Sequence, residues 1–158
     1  MTENTKNNYN IRMATVWDAK IITDLWEKEI KEAKFPFMIV DEKEKERFFI
    51  SIIKKIKDKN FCILVAESKN KIVAFVMGNL KIHEYGNSNI AGCCENIYIK
   101  SEHRSKGLFK ELLDLLILWG KAANMKQMEF LTNVDEKLIK VYKKLGYKPC
   151  QIVWIKEV

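Results

Sequence analysis

Two basic residues and one glycine precede an apolar helical pattern in the segment HRSKGLFKELLDLL, residues 103–116. The first backbone N–H groups of a helix have no partners inside the helix and carry partial positive charge, so they attract anions. Gly107 lets a ligand approach the backbone closely, and Arg104 and Lys106 can pair with phosphate. The junction therefore predicts a site for a phosphate-bearing ligand, with an ordinary basic turn as the alternative.

The common nucleotide-binding loops do not occur in the sequence. Neither GxGxxG nor GxxxxGK(S/T) is present in this chain of six glycines, so the junction is a different kind of phosphate site. The helix that follows has apolar side chains around most of its circumference and charged side chains on one stripe. We therefore expect this helix to be deeply buried and to hold the junction rigidly.

The elements that must position the junction are predicted from changes in the hydrophobic period. The predicted order is a strand at 9–15, a helix from 16 to about 30, a helix from 41 to about 57, strands at 61–67, 72–80 and 90–100, a helix at 107–123, a strand at 127–133, a helix at 135–146 and a last strand within 147–158. This order predicts one α/β (α+β) domain, residues 9–158, with a mixed, mostly antiparallel sheet flanked by helices. Residues 1–8 are expected to form a disordered polar tail.

Two motifs resemble a known family. NIYIKSEHRSKGLFKELL, residues 96–113, resembles the acetyl coenzyme A signature of the GNAT N-acetyltransferase superfamily, in which an apolar strand leads to R-x-x-G-x-(G/A) and a helix. DEKLIKVYKKLGYKP, residues 135–149, resembles the C-terminal helix of that family with its lYeklGF ending. The resemblance covers about residues 9–158. It implies a GNAT-like fold and direct transfer of an acetyl group from acetyl coenzyme A to a primary amine in a ternary complex.

The resemblance also implies which residues bind acetyl coenzyme A. Backbone groups of Ile97, Tyr98 and Ile99 would pair with the pantetheine arm as an added strand does. The pyrophosphate would be held by the loop residues Arg104, Ser105, Lys106, Gly107, Leu108, Phe109 and Lys110. Phe109 stands where the motif ends in a small residue, so its side chain is expected to point into the core. Asp135 stands where the family often has asparagine, and Asn133 is expected to replace that asparagine.

Two side chains are candidates for proton transfer. Glu95 is the candidate base, directly or through water, because it interrupts an apolar strand that leads into the implied cofactor site. The equal alternative is a glutamate that faces solvent or pairs with a lysine. An N–H group of the same strand could donate to the thioester carbonyl. By resemblance Tyr142 would protonate the leaving thiolate, with a core tyrosine on an amphipathic helix as the alternative.

The cysteines and histidines do not predict a metal site. The four cysteines, Cys62, Cys93, Cys94 and Cys150, form no CxxC pair, and the only two histidines are far apart in the sequence. We expect buried free thiols and a cytoplasmic protein. An acyl-cysteine intermediate is not favoured, because no histidine lies near Cys93 and Cys94 in the sequence. No segment reaches the roughly 18 uncharged apolar residues of a membrane span, so no membrane partner is expected.

The charge of the chain does not by itself identify its binding partner. The net charge of +7 suits an anionic ligand, but most lysines lie among glutamates, so we expect solvated helix faces and no nucleic acid partner. A small-molecule or peptide amine is the expected acceptor, and the protein is expected to be a monomer or a homodimer.

Trp17 and Trp26 are assigned to the core, and Phe35 and Phe37 are candidates for an acceptor pocket. A non-catalytic acyl coenzyme A sensor with the same fold is the alternative function.

Overall fold

The computed structural model describes residues 9–33, 40–82, 90–130 and 136–149. Its elements are β1 (Asn10–Met13), a 3₁₀ helix (Val16–Asp18), α1 (Ala19–Ala33), α2 (Glu42–Ile56), β2 (Phe61–Ser68), β3 (Lys71–Ile82), β4 (Ile90–Ile99), a second 3₁₀ helix (Ser101–His103), α3 (Leu108–Ala122), β5 (Gln127–Phe130) and α4 (Glu136–Lys144). The predicted elements within these ranges are confirmed in type and order. The predictions for the tail, Phe35, Phe37, Asn133, Asp135, Cys150 and most of the last strand lie outside the described residues.

The described strands form one mixed sheet in the order β1-β2-β3-β4-β5. The first four strands are antiparallel to their neighbours, whereas β5 runs parallel to β4. The hairpin between β2 and β3 turns at Lys69 and Asn70, both with positive φ. The predicted α+β domain with a mixed, mostly antiparallel sheet is confirmed.

Helices cover both faces of the sheet because each carries an apolar stripe at helical spacing. On one face α1 and α2 bury Ile22, Trp26 and Ile52 against the sheet, and the Trp26 ring stacks on Phe48 at 4.0 Å. On the other face α3 buries its side chains at Leu108, Leu112, Leu113 and Leu116. Burying one leucine side chain contributes about 2 kcal/mol, so these stripes are what attach the helices to the sheet.

Helix α3 is buried on one face only. Leu118 is 63% exposed, so the expectation of a deeply buried helix was wrong for the side of α3 that faces away from the sheet. When apolar residues surround a whole helix, the sequence does not show which stripe will pack against the sheet. In this structure the stripe that begins at Leu108 packs against it. The start of α3 is nevertheless anchored, because Leu108 is almost fully buried.

Candidate active site

The candidate site begins at a bulge in β4. Met77 of β3 pairs with Asn96 and Gly78 pairs with Cys94, so Glu95 is an extra residue in β4. A bulge re-aims side chains and disturbs strand pairing locally. The described pairing between β4 and β5 ends at the same place, since Cys94 is the last β4 residue to pair, opposite Phe130.

Beyond the bulge, β4 presents backbone groups on the side away from β3. The N–H of Lys100 donates to the Val73 carbonyl of β3 at 3.0 Å. Because alternate residues of an antiparallel strand direct their N–H and C=O groups to opposite sides, Ile97 and Ile99 face away from β3. Side chains take up these groups, since the Ile99 carbonyl accepts a hydrogen bond from Arg104 Nε at 2.7 Å. We call the backbone of Ile97–Ile99 on this side the open edge of β4.

The loop between β4 and α3 leads from this edge to the predicted phosphate site. Gly107 has φ of 81° and is the cap residue of α3, without a side-chain hydrogen bond at the helix start. A Cβ at Gly107 would meet no heavy atom within 4 Å, so there is space in front of the first N–H groups of α3. Ser105, Lys106 and Gly107 are exposed. The loop therefore presents backbone donors at a helix N-terminus, as the sequence predicted.

Phe109 and Lys110 point away from the space in front of the helix. Phe109 packs against the core and its ring meets the Tyr142 ring edge-on at 5.7 Å, which confirms that this side chain points inward. Lys110 forms an ion pair with Asp114 on the next turn of α3. The bulky side chain of Phe109 is accommodated because it packs against the Tyr142 ring of α4 and does not enter the space in front of the loop.

Arg104 connects the end of β4 with the end of α1. Besides its bond to Ile99, its guanidinium contacts Glu32 at 2.5 Å and lies over the Tyr98 ring, 5.4 Å from the centroid. Tyr98 donates to Glu32 at 2.6 Å, and burial together with this carboxylate raises the pKa of Tyr98 to about 12. The Arg104 side chain is thus engaged by the strand and α1.

Glu95, the candidate base, lies on the α1 and α2 face of the sheet. Its carboxylate contacts Lys55 of α2 at 2.5 Å and Asn79 of β3 at 2.9 Å. This is the lysine-paired arrangement that the sequence left open as the alternative. The catalytic role of Glu95 stays a prediction.

A second carboxylate at the open edge was missed by the sequence reasoning. Glu29 of α1 accepts a hydrogen bond from the Ile97 backbone N–H and one from Asn96 Nδ2 at 3.3 Å. Burial raises the pKa of Glu29 to about 7, against the lowering effect of these two bonds. A signal for it existed, because Glu29 lies seven residues after Ile22 and three after Trp26, which are both buried, so helical spacing puts it near the face of α1 that meets the sheet.

Tyr142 lies in an aromatic cluster on the opposite face of the sheet. Its ring packs against Phe109, Phe130 and Tyr147, so the core alternative describes its surroundings. Burial raises the pKa of Tyr142, and the nearby Cys94, Tyr147 and Glu29 raise it further. Tyr142 belongs to the same apolar cluster as Cys94, the residue at which the described pairing of β4 with β5 ends.

The two tryptophans of the N-terminal region differ in position. Trp26 is buried, as predicted, but Trp17 is 90% exposed, so its assignment to the core was wrong. Trp17 belongs to the 3₁₀ helix before α1, where it lines an open hollow with Val16, Lys20, Phe49, Ile53 and Lys57. The rise along α1 from Ala19 to Glu29 is roughly 15 Å, which separates this hollow from the open edge.

The described cysteines are buried free thiols. Cys62, Cys93 and Cys94 are all buried and unpaired with one another, as predicted. Burial raises the pKa of Cys62 to about 12, which makes a thiolate nucleophile unfavourable there.

Across the four described ranges, no group of three or more acidic, histidine or cysteine side chains could hold a metal ion. No helix in those ranges is long and apolar enough to span a bilayer.

Comparison with known proteins decides the family. Residues 22–147 match the profile of the Acetyltransferase (GNAT) family. The chain belongs to the GNAT acetyltransferase family. It is therefore a GNAT-type N-acetyltransferase, and the enzyme class predicted from the two motifs is confirmed. No curated protein sequence matches the chain.

Solved structures similar to this GNAT protein share its fold at low sequence identity. A transcriptional regulator from Bacillus halodurans C-125 is 17% identical with a TM-score of 0.80, covering 96% of this chain and 100% of its own. A predicted acetyltransferase with acetyl-CoA from Clostridium acetobutylicum is 17% identical with a TM-score of 0.79, covering 96% of both chains. Glucosamine-6-phosphate N-acetyltransferase from Arabidopsis thaliana is 22% identical with a TM-score of 0.71, covering 95% of this chain and 98% of its own.

Proposed function

We propose that this chain transfers an acetyl group from acetyl coenzyme A to a primary amine by direct attack, in a complex that holds both substrates. The observation that carries the proposal is the open edge of β4 next to the N-terminus of α3. A strand edge accepts an extended amide chain, and a helix N-terminus accepts phosphate. Acetyl coenzyme A combines these two parts, and the similar Clostridium acetobutylicum structure contains acetyl-CoA.

The residues proposed to bind the donor are those that the resemblance implied. The pantetheine arm would lie along Ile97, Tyr98 and Ile99, and the pyrophosphate would lie before the loop of Arg104, Ser105, Lys106, Gly107, Leu108, Phe109 and Lys110. Two features of the structure fit this assignment: the space in front of Gly107 and the buried anchor at Leu108. Asn133 remains part of the proposal and lies outside the described residues.

Acetyl coenzyme A supplies an activated acetyl group. The side chains of this protein must remove a proton from the amine and deliver a proton to the departing thiolate. A lysine-like amine has a pKa of about 10.4 and is almost wholly charged at neutral pH, so it must lose a proton before it attacks. Glu95 is the base predicted from the sequence, directly or through water, and it can serve if its carboxylate is released from Lys55.

Tyr142 is proposed to protonate the departing thiolate. Its packing between Phe109 and Phe130 fixes the direction of the phenol. Replacement by phenylalanine keeps this packing and removes only the hydroxyl group, so Tyr142→Phe is expected to lower kcat by about 100-fold. A variant that turned over at the normal rate would remove Tyr142 from the mechanism.

The proposed acceptor is a small-molecule or peptide amine, and residues 9–158 are proposed to form one N-acetyltransferase domain in the cytoplasm. Similar folds act on different amines, since relatives of known structure include a glucosamine-6-phosphate N-acetyltransferase and an aminoglycoside 6'-N-acetyltransferase. The acceptor is therefore to be identified with a panel of amines that covers sugars, polyamines and lysine derivatives.

Calorimetric titration with acetyl coenzyme A tests the donor site. We expect micromolar binding by the wild type and an affinity at least about tenfold lower for Gly107→Glu, which places a carboxylate before α3. Gly146→Glu is the matched control, because Gly146 also has a positive φ, of 86°, and lies after α4, where an added Cβ would likewise meet no heavy atom within 4 Å. No binding by the wild type at about 1 mM acetyl coenzyme A would contradict the proposal.

A further inference from the structure

The open edge of β4 is contacted by a carboxylate that belongs to neither the strand nor the loop. Glu29 reaches from α1 to the Ile97 N–H and to Asn96 Nδ2. Ile97 is the first residue after the bulge whose N–H faces away from β3. Any acceptor of this N–H lies about 2.9 Å from the nitrogen, so the Glu29 carboxylate lies next to the position that an acyl carbonyl bound there would take.

We propose that Glu29 accepts the proton of the acceptor amine, in the role that the sequence suggested for Glu95. The inference rests on the acetyl transfer proposed above. It adds a catalytic residue from α1 to a site otherwise built from β4, α3 and α4.

Within the described ranges, Glu29 differs from the carboxylates around it in having no ion-pair partner. Glu95 is neutralised by Lys55, and Glu32, one turn after Glu29 on α1, is neutralised by Arg104. Among the described side chains, no lysine or arginine forms an ion pair with Glu29. An incoming ammonium group would supply the positive charge that no described side chain brings to the Glu29 carboxylate, so charge attraction would guide the amine to it.

The surroundings of Glu29 suit a base that works near neutral pH. Burial is the main cause that raises its pKa to about 7, and a general base is most effective when its pKa lies near the working pH. Among the described residues, Cys94 of β4 and Tyr142 of α4 are titratable groups near this region, and the pKa of each is raised in part by Glu29. Glu95 also raises the pKa of Cys94 but is paired with Lys55.

Glu29 and Tyr142 come from opposite faces of the sheet. Glu29 is carried by α1, and Tyr142 packs with α3 and β5 on the other face. Among the described residues, the pairing of β4 with β5 ends at Cys94, which lies in the same apolar cluster as Tyr142, and Glu29 contacts β4 three residues further on, at Ile97. The two side chains therefore flank the open edge of β4. A thioester placed in this opening would have a proton acceptor on one side and a proton donor on the other.

The proposed proton and bond changes balance. Glu29 takes one proton from the ammonium group, and the neutral nitrogen forms a bond to the acetyl carbon as the carbon–sulfur bond breaks. Tyr142 gives its proton to the thiolate and regains one from the new amide nitrogen. Glu29 then releases its proton to solvent, so the products are an acetylated amine, the free thiol and one proton.

The test compares the pH dependence of kcat/KM in four proteins, with the best amine of the panel as the probe. For the wild type we expect kcat/KM to rise between pH 5 and 8 through an apparent pKa near 7, the value that burial gives Glu29. Glu29→Gln keeps an oxygen that can accept from Ile97 but cannot take a proton. Its kcat/KM at pH 8 should fall by about 100-fold or more, and the rise near pH 7 should disappear.

Of the two further variants, one tests the competing base and the other is the control. Glu95→Gln removes the competing carboxylate and should keep the rise near pH 7. Glu27→Gln lies on the same helix but faces Lys31 and Lys45, so it should behave as the wild type. Acetyl coenzyme A should bind Glu29→Gln as tightly as the wild type, or more tightly, because a neutral amide competes less well than a carboxylate for the Ile97 N–H.

Each outcome decides the assignment. Normal transfer by Glu29→Gln, with the loss of activity in Glu95→Gln instead, would overturn the role of Glu29 and leave acetyl transfer intact. Binding of acetyl coenzyme A by the wild type without transfer to any amine of the panel would count against both proposals. Loss of activity in Glu29→Gln together with loss of acetyl coenzyme A binding would show a structural role and would also overturn the assignment.

Discussion

Replacing Glu29 by glutamine is expected to change how the stability of the protein depends on pH. A carboxyl group whose pKa rises from 4.5 to about 7 on folding prefers its neutral form in the folded protein. At roughly 1.4 kcal/mol for each pH unit, the charged form of Glu29 destabilises the fold by about 3 kcal/mol. This destabilisation is absent below the unfolded pKa, grows as the pH rises from there, and is complete above the folded pKa.

The Glu29→Gln variant should therefore gain stability over the wild type as the pH rises. We expect similar unfolding free energies at pH 4.5 and a difference of about 3 kcal/mol in favour of the variant at pH 8. The assay is urea unfolding at several pH values, where a slope of roughly 2 kcal/mol/M turns that difference into a midpoint about 1.5 M higher. Glu111→Gln, at an exposed position of α3, is the control. A difference that stays constant from pH 4.5 to 8 would refute the reasoning.

Two further predictions concern stability away from the active site. Arg12, and then Thr15, hold the pKa of Asp18 at about 2, so Asp18→Asn should cost about 2 kcal/mol at pH 7, and the loss should vanish as the pH falls from the unfolded value of 3.8 toward 2 in the same urea assay. Gly120→Ala would place a Cβ 2.5 Å from Met125 Sδ, so it should destabilise the protein by about 1–3 kcal/mol. In a thermal unfolding cycle, Met125→Ala should relieve part of that loss, and strict additivity would contradict the contact.

Most elements of the fold could be predicted from short-range patterns in the sequence. Helix and strand types follow from hydrophobic periods of 3.6 and 2, and these are properties of neighbouring residues. The start of α2 was predictable because Asp41 accepts the N–H of Glu44 at 2.8 Å, a cap that needs no distant residue. Trp17 was placed wrongly for the opposite reason, because a single aromatic residue before a helix does not show whether another element will cover it.

The candidate site was predictable where it depends on backbone shape. Gly107 before an apolar helix was enough to predict an exposed helix N-terminus, and the left-handed φ of 81° at Gly107 agrees with the choice of glycine. The partners of the glutamates were not predictable. Lys55 and Glu95 are 40 residues apart in the sequence, and their pairing depends on how α2 packs against the sheet.

The sequence by itself determined the order of elements, the phosphate-type junction and the two motifs that identify the family, because each depends on residues close together in the chain. Only the tertiary structure decided which glutamate meets the open edge of β4. Glu29, Glu32 and Glu95 are chemically alike. Packing gives Glu32 and Glu95 a cation, whereas it leaves Glu29 half-buried beside the Ile97 N–H with no ion-pair partner among the described side chains. Burial and pairing are properties of the assembled layers, so a carboxylate that can act near neutral pH emerges only when α1 is packed on the sheet.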